Sequence, residues 1–104
     1  MSAAKQKAQA IIADNPVVVF SKSWCGYCRA AKSLLNEQGA TFYAMELDQV
    51  DDGAAIQEAL AEITHQRTVP SIFIDHKHIG GNSDLQARRA ELPGLLRAAG
   101  ALKE

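Results

Sequence analysis

The chain has 104 residues, 47% of them hydrophobic, and eleven Lys plus Arg stand against twelve Asp plus Glu. That length suits a single domain over residues 1–104 with one core, and the near-neutral charge supplies no basic field to draw in nucleic acid. No apolar stretch approaches the roughly eighteen residues of a membrane span, so a membrane partner is not expected either.

Taken from the N-terminus, Ala4, Ala8, Ile11 and Ile12 recur at helical spacing, and Asp14-Asn15-Pro16 stops the segment. It holds no long apolar run and lacks the arginines of a transit peptide, so a reducing, cytoplasmic setting is expected. Val17 to Phe20 reads as a strand covered on both faces. Tyr27 to Gln38 carries Ala30, Ala31, Leu34 and Leu35 at helical spacing and ends at Gly39, a natural cap. Thr41 to Leu47 is a second strand, and Ala54 to Ile63 a helix with Ile56, Leu60 and Ile63 on one face. Strand, helix and strand in this order predict two parallel strands joined by a crossover. After Pro70, Ile72-Phe73-Ile74 forms a third strand, Asp75-His76-Lys77 a turn, and His78-Ile79 a short antiparallel fourth. Asn82 or Ser83 caps a last helical region from Asp84, interrupted near Leu92-Pro93-Gly94 and ending near Gly100. These elements predict an α/β sandwich around a mixed four-stranded sheet.

Cys25 and Cys28 are the only cysteines, three positions apart, at the junction between the first strand and the following helix. A structural zinc needs two further ligands. There is no third cysteine, and His65, His76 and His78 lack finger spacing, so no metal site is expected. A structural disulfide closing so short a loop would remove little unfolded-state entropy. The leading reading is a thiol–disulfide redox centre. Cys25, at the outer end of the helix N-terminus, is the expected nucleophile, its thiolate held by free N–H groups and by Lys22 nearby. Cys28, one turn in, is the expected resolving thiol. Gly26 gives the loop freedom to reshape, while Tyr27 either shields one side of the pocket or is an ordinary surface aromatic. His76 and His78 are expected to decorate a turn without a role.

Three stretches, Lys22-Ser23-Trp24-Cys25-Gly26-Tyr27-Cys28, Arg67-Thr68-Val69-Pro70 and Ile79-Gly80-Gly81-Asn82-Ser83-Asp84-Leu85, resemble in order and spacing the three signatures of dithiol glutaredoxins. The resemblance spans nearly the whole chain. It departs at Trp24, where many relatives carry another residue, and at Gly26, which replaces the proline of the commonest CPYC form. The resemblance implies a thioredoxin-like three-layer α/β/α sandwich. It also implies a cis Val69–Pro70 bond facing the cysteines, so that Val69 pairs with an extended substrate as an added strand does.

The same resemblance implies a glutathione site. Lys22, Gln57 and Arg67 match positions that hold the glycine carboxylate, and Asn82, Ser83 and Asp84 the loop that receives the γ-glutamyl end. Tyr27, Thr68, Val69, Pro70 and Gly81 complete the implied set. A helix cap or a solvated face is the plain alternative, strongest for Gln57 and Ser83. The implied activity is reduction of protein–glutathione mixed disulfides and other disulfides by a monomer, with glutathione as reductant, in cell redox homeostasis. Two rivals stand beside it. One is a glutathione-ligated [2Fe–2S] cluster held by Cys25 and bridging two protomers, as in some relatives without that proline. The other, a thioredoxin served by a flavoprotein reductase, is disfavoured by Lys22, the Arg67–Pro70 run and the glycine pair.

Overall fold

Along β1 (Val17–Ser21) successive side chains leave the sheet on opposite sides, and this alternation sorts the molecule into layers. The computed structural model, which describes residues 2–103, packs Val17 and Val19 on one face and Val18 and Phe20 on the other. The first pair meets Ala31, Leu34 and Leu35 of α2 (Gly26–Glu37), Leu85 of α4 (Asn82–Ala87), and Leu92 and Leu96 of α5 (Leu92–Ala98). The second pair meets Ala8 and Ile12 of α1 (Ala3–Asp14) and Ile56 and Leu60 of α3 (Gly53–Thr64). The three-layer sandwich follows from that division. Phe20, fully buried on the α1/α3 side, is worth about 3–5 kcal/mol against alanine.

The sheet runs β2 (Tyr43–Glu46), β1, β3 (Ser71–Ile74), β4 (Lys77–Gly80). β1 pairs parallel with β2 and antiparallel with β3, which pairs antiparallel with β4. Phe20 lies opposite Ser71, so the end of β1 meets the beginning of β3. That register brings the segment after Ser21, with both cysteines, beside the segment before Ser71, with Pro70.

Four boundaries depart from the sequence-based expectation. β2 is shorter than Thr41–Leu47, because the Thr41 N–H donates to the Ala101 carbonyl and Ala40 bridges to Leu102, drawing that end toward the C-terminus. Lys77 belongs to β4, and the turn is Asp75-His76 alone, with φ of 53° and 68°. Two positive φ values in a two-residue loop match the twist of the flanking strands. His78 therefore lies in β4, and His76 ties the turn to α1 through Nδ1, 2.8 Å from the Ile12 carbonyl. Finally, Gly81 caps α4 in place of Asn82 or Ser83, and the helical region breaks at a 3₁₀ turn, Arg89–Glu91. Pro93 falls in the first turn of α5, where its missing N–H costs nothing, so it opens that helix.

Candidate active site

Cys25 is the N-cap of α2, and its Sγ accepts the Cys28 N–H at 3.3 Å. A cysteine here does what serine or aspartate does at other helix starts. The first turn of α2 carries no acidic side chain, so a thiolate at Cys25 is the only anion on that helix end. Burial alone would push the Cys25 thiol up. The hydrogen bonds from Cys28 and from the Tyr27 backbone, with the Arg29 charge, outweigh it and hold the thiol below the 9.0 of a free cysteine. Cys28 moves the other way: its burial, then the Cys25 hydrogen bond, raise its thiol above 9.0. The two thiols are free and unequal in acidity, that of Cys25 lowered and that of Cys28 raised.

The Lys22 ammonium stands over the Trp24 ring, 5.6 Å from its centroid, and the Arg29 charge favours the Cys25 thiolate. The turn before Cys25 is pinned instead by Asp48, whose Oδ1 accepts the Ser23 N–H at 2.9 Å and whose Oδ2 accepts the Ser23 hydroxyl. Those Ser23 bonds, above all the hydroxyl's, keep the Asp48 carboxyl below its ordinary range.

Across from Cys25 lies the Val69 carbonyl, which faces its Sγ at 3.9 Å; the Val69–Pro70 bond is cis. Cys25 is 8% exposed, while Trp24 and Tyr27, its near neighbours in sequence, are 67% and 72% exposed. A cleft of about 530 Å³ brings together Tyr27, Thr68, Val69, Pro70, Gly81, Asn82, Ser83 and Asp84, all expected, and adds Gln66. Asp84 Oδ2 accepts the Gly81 N–H at 2.9 Å. Gln57 and Arg67 lie apart, in a depression of about 180 Å³ with Ala54, Glu58 and Ala61. There Gln57 donates to the Arg67 carbonyl at 2.8 Å, and the Arg67 guanidinium pairs with Glu58 at 2.9 Å. Lys22 lines neither. An apolar depression of about 310 Å³ at the other end of the sheet, among Gln9, Ile12, Ala13, Ile63, Phe73 and His76, holds no nucleophile.

Sequence reasoning passed over Arg29, Asp48, Gln66 and His78. Arg29 had a legible signal, a cation one residue past the second cysteine. Asp48 and His78 meet partners twelve or more residues away, Asp48 on Ser23 and His78 on Gln66 through Nε2, 3.0 Å from Oε1, while Gln66 donates to the nearby Thr68 and Pro70 carbonyls. Among the described residues no group of three or more His, Cys, Asp or Glu could hold a metal ion.

Residues 17–79 match the sequence model of the family described as glutaredoxin. A glutaredoxin of Solanum lycopersicum is 53% identical over 98 residues, covering 92% of this chain and 91% of that protein. Glutaredoxin-C1 of Arabidopsis thaliana is 46% identical over 106 residues, covering 100% of this chain and 85% of that protein. Among solved structures, a buckwheat glutaredoxin in complex with glutathione superposes with a TM-score of 0.92 at 46% identity, over 96% of this chain and 93% of that one.

Proposed function

Starting from the premise that the chain belongs to the glutaredoxin family of thiol–disulfide oxidoreductases, we propose that it reduces protein–glutathione mixed disulfides, and other disulfides, at the expense of glutathione. The observation that carries this reading is the pair of unequal thiols at the start of α2, with Cys25 as the helix cap facing the Val69 carbonyl.

The Cys25 thiolate attacks the glutathione sulfur of a mixed disulfide. The Cys25–glutathione disulfide forms, the protein sulfur leaves as a thiolate and takes a proton from water. A second glutathione thiolate then attacks the glutathione sulfur of that adduct, releasing glutathione disulfide and restoring the Cys25 thiolate. In the dithiol route Cys28 loses its proton and attacks Cys25 Sγ instead, expelling glutathione and leaving a Cys25–Cys28 disulfide that two glutathiones reopen. Cys28, buried and raised in pKa, is a thiol at rest, so the first route needs only Cys25.

In this reading glutathione lies along the cleft, its backbone against Val69 and its γ-glutamyl end toward Gly81, Ser83 and Asp84, with Tyr27, Thr68 and Pro70 as walls. Lys22, Gln57 and Arg67 serve the glycine carboxylate. The partners are glutathione and glutathionylated or disulfide-bearing proteins, the working form is a monomer, and the proposed setting is the cytoplasm, where thiols are kept reduced.

The test is turnover of a glutathionylated model disulfide with glutathione, glutathione reductase and NADPH. Activity is expected in the wild type and in Cys28→Ser and lost in Cys25→Ser. A wild type that works only when a flavoprotein thioredoxin reductase replaces glutathione would overturn the reading.

A second role has one structural support: a Cβ at Gly26 would meet nothing within 4 Å, so space beside Cys25 is open. Cys25 of two protomers, with two glutathione thiolates, would make a four-thiolate set for a [2Fe–2S] cluster, chemistry that suits iron. When bound, such a cluster would withhold Cys25 from disulfide exchange. Anaerobically purified protein that is brown and dimeric supports this role; colourless monomer after reconstitution overturns it.

A further inference from the structure

Gln66 leaves the end of α3 half-buried, with its N–H donating to Thr64 Oγ1 at 3.0 Å, and lines the cleft. Its Nε2 donates to the Thr68 carbonyl at 2.9 Å and to the Pro70 carbonyl at 2.8 Å, one on each side of Val69. Carbonyl oxygens only accept, so the amide nitrogen must face them and Oε1 must point away. That oxygen meets His78 Nε2 at 3.0 Å, which requires the imidazole to carry its proton on Nε2. His78 is seated in turn by β3: its ring centroid is 5.1 Å from that of Phe73, and Ser71 Oγ lies 3.5 Å from Nε2. A single run of donors thus passes from the sheet through His78 and Gln66 to the two carbonyls that bracket Val69.

From this geometry we propose that Gln66, oriented by His78, is a positioning residue that fixes the Val69 backbone relative to Cys25 for an extended peptide substrate. The inference rests on the reading above that Val69 pairs with substrate. Gln66 places its whole amide on Thr68, Pro70 and His78 and touches no reacting sulfur, so it acts through Val69. The α3 C-terminus does not need these bonds, since it is closed by the His65 N–H on the Ala61 carbonyl.

The test compares Gln66→Met, which keeps length and neutrality but removes every donor, with His78→Phe, which keeps a ring against Phe73, and with the double variant. Backbone ¹⁵N order parameters of Thr68 and Val69 are expected to fall from about 0.85 to below about 0.6 in Gln66→Met, with α2 unchanged. KM for a glutathionylated peptide is expected to rise about tenfold, while kcat and the pH profile of Cys25 alkylation stay at wild-type values. His78→Phe raises KM less, and the double variant matches Gln66→Met, because both act through one bond. A loop that stays rigid in Gln66→Met, or a mobile loop with KM within twofold of wild type, overturns the proposal. Wild-type protein without glutathione-dependent turnover would strike the functional reading alone; a mobile loop in Gln66→Met would then still support the brace, and a rigid one would still overturn it.

Discussion

At the start of α2 the acceptor for a first-turn N–H is the Cys25 sulfur, whereas at the start of α4 the Gly81 N–H is taken by the carboxylate of Asp84, three residues on. Both helix starts border the same cleft, through Tyr27 and through Gly81, Asn82, Ser83 and Asp84. The difference lies in what the acceptor can become. A thiolate that forms a disulfide gives up its charge and regains it on reduction, so in the proposed reaction the α2 start changes state with each turnover. Asp84 takes no part in that exchange and makes no ion pair among the described residues, so in the proposed reading the α4 start presents its carboxylate to a ligand amine. In the proposed reading one helix end supplies reaction and the other recognition.

Exchanging the acceptors tests that division most severely at Cys25. Cys25→Ser keeps a capping oxygen yet removes the nucleophile, and turnover of a glutathionylated substrate is expected to fall by at least about a hundredfold with little change in thermal stability. A third helix start, that of α3, provides a structural control. A Cβ at Gly53 would overlap the Leu47 carbonyl oxygen, so Gly53→Ala is expected to cost about 1–3 kcal/mol in denaturant unfolding while turnover per folded molecule is retained. Asp84→Asn keeps an acceptor for the Gly81 N–H and removes the charge. Coupled assays should show KM for glutathione rising by about three- to tenfold with kcat preserved, an effect of about 1 kcal/mol.

The acidity of Cys25 sharpens the comparison without any change at α4. Its folded pKa lies below the 9.0 of the unfolded chain, so between those two values the native state binds fewer protons. Its contribution to stability is therefore present above 9.0 and lost as pH falls through the folded pKa. Alkylation of Cys25 against pH is expected to show a midpoint below 9.0 that Asp84→Asn leaves in place, and unfolding of Cys25→Ser should lack this rise. The smallest effect belongs to Gly26→Pro. Gly26 is the first residue of α2, where proline is favoured, and open space surrounds it. Stability should change by no more than about 1 kcal/mol, toward the proline variant, in thermal melts.

Much of this arrangement was legible in the sequence because it is local. Val17 to Phe20 has to be covered on both faces, and Gly39, at φ 73°, ends α2 where the pattern ends. The two cysteines, three apart after a strand, could only fall at a helix start. What escaped depends on register and on side-chain reach. Lys22 and Arg29 are both near Cys25 in sequence, and only the fold shows the Lys22 ammonium over the Trp24 ring and the Arg29 charge favouring the thiolate. Gln66 reads as a polar linker until β4 brings His78 to its oxygen. The cap of α4 was missed because Gly81 has no side chain to mark it; the signal was Asp84, reaching back to its N–H.

The central claim is that Cys25, and not Cys28, carries the glutathione. Intact-mass analysis of the two single variants after incubation with glutathione disulfide tests it most directly. One glutathione is expected on Cys28→Ser, mapped by peptide digestion to Cys25, and none on Cys25→Ser. Glutathione found on Cys28 of the Cys25→Ser variant at a comparable rate, or on neither protein, would contradict it.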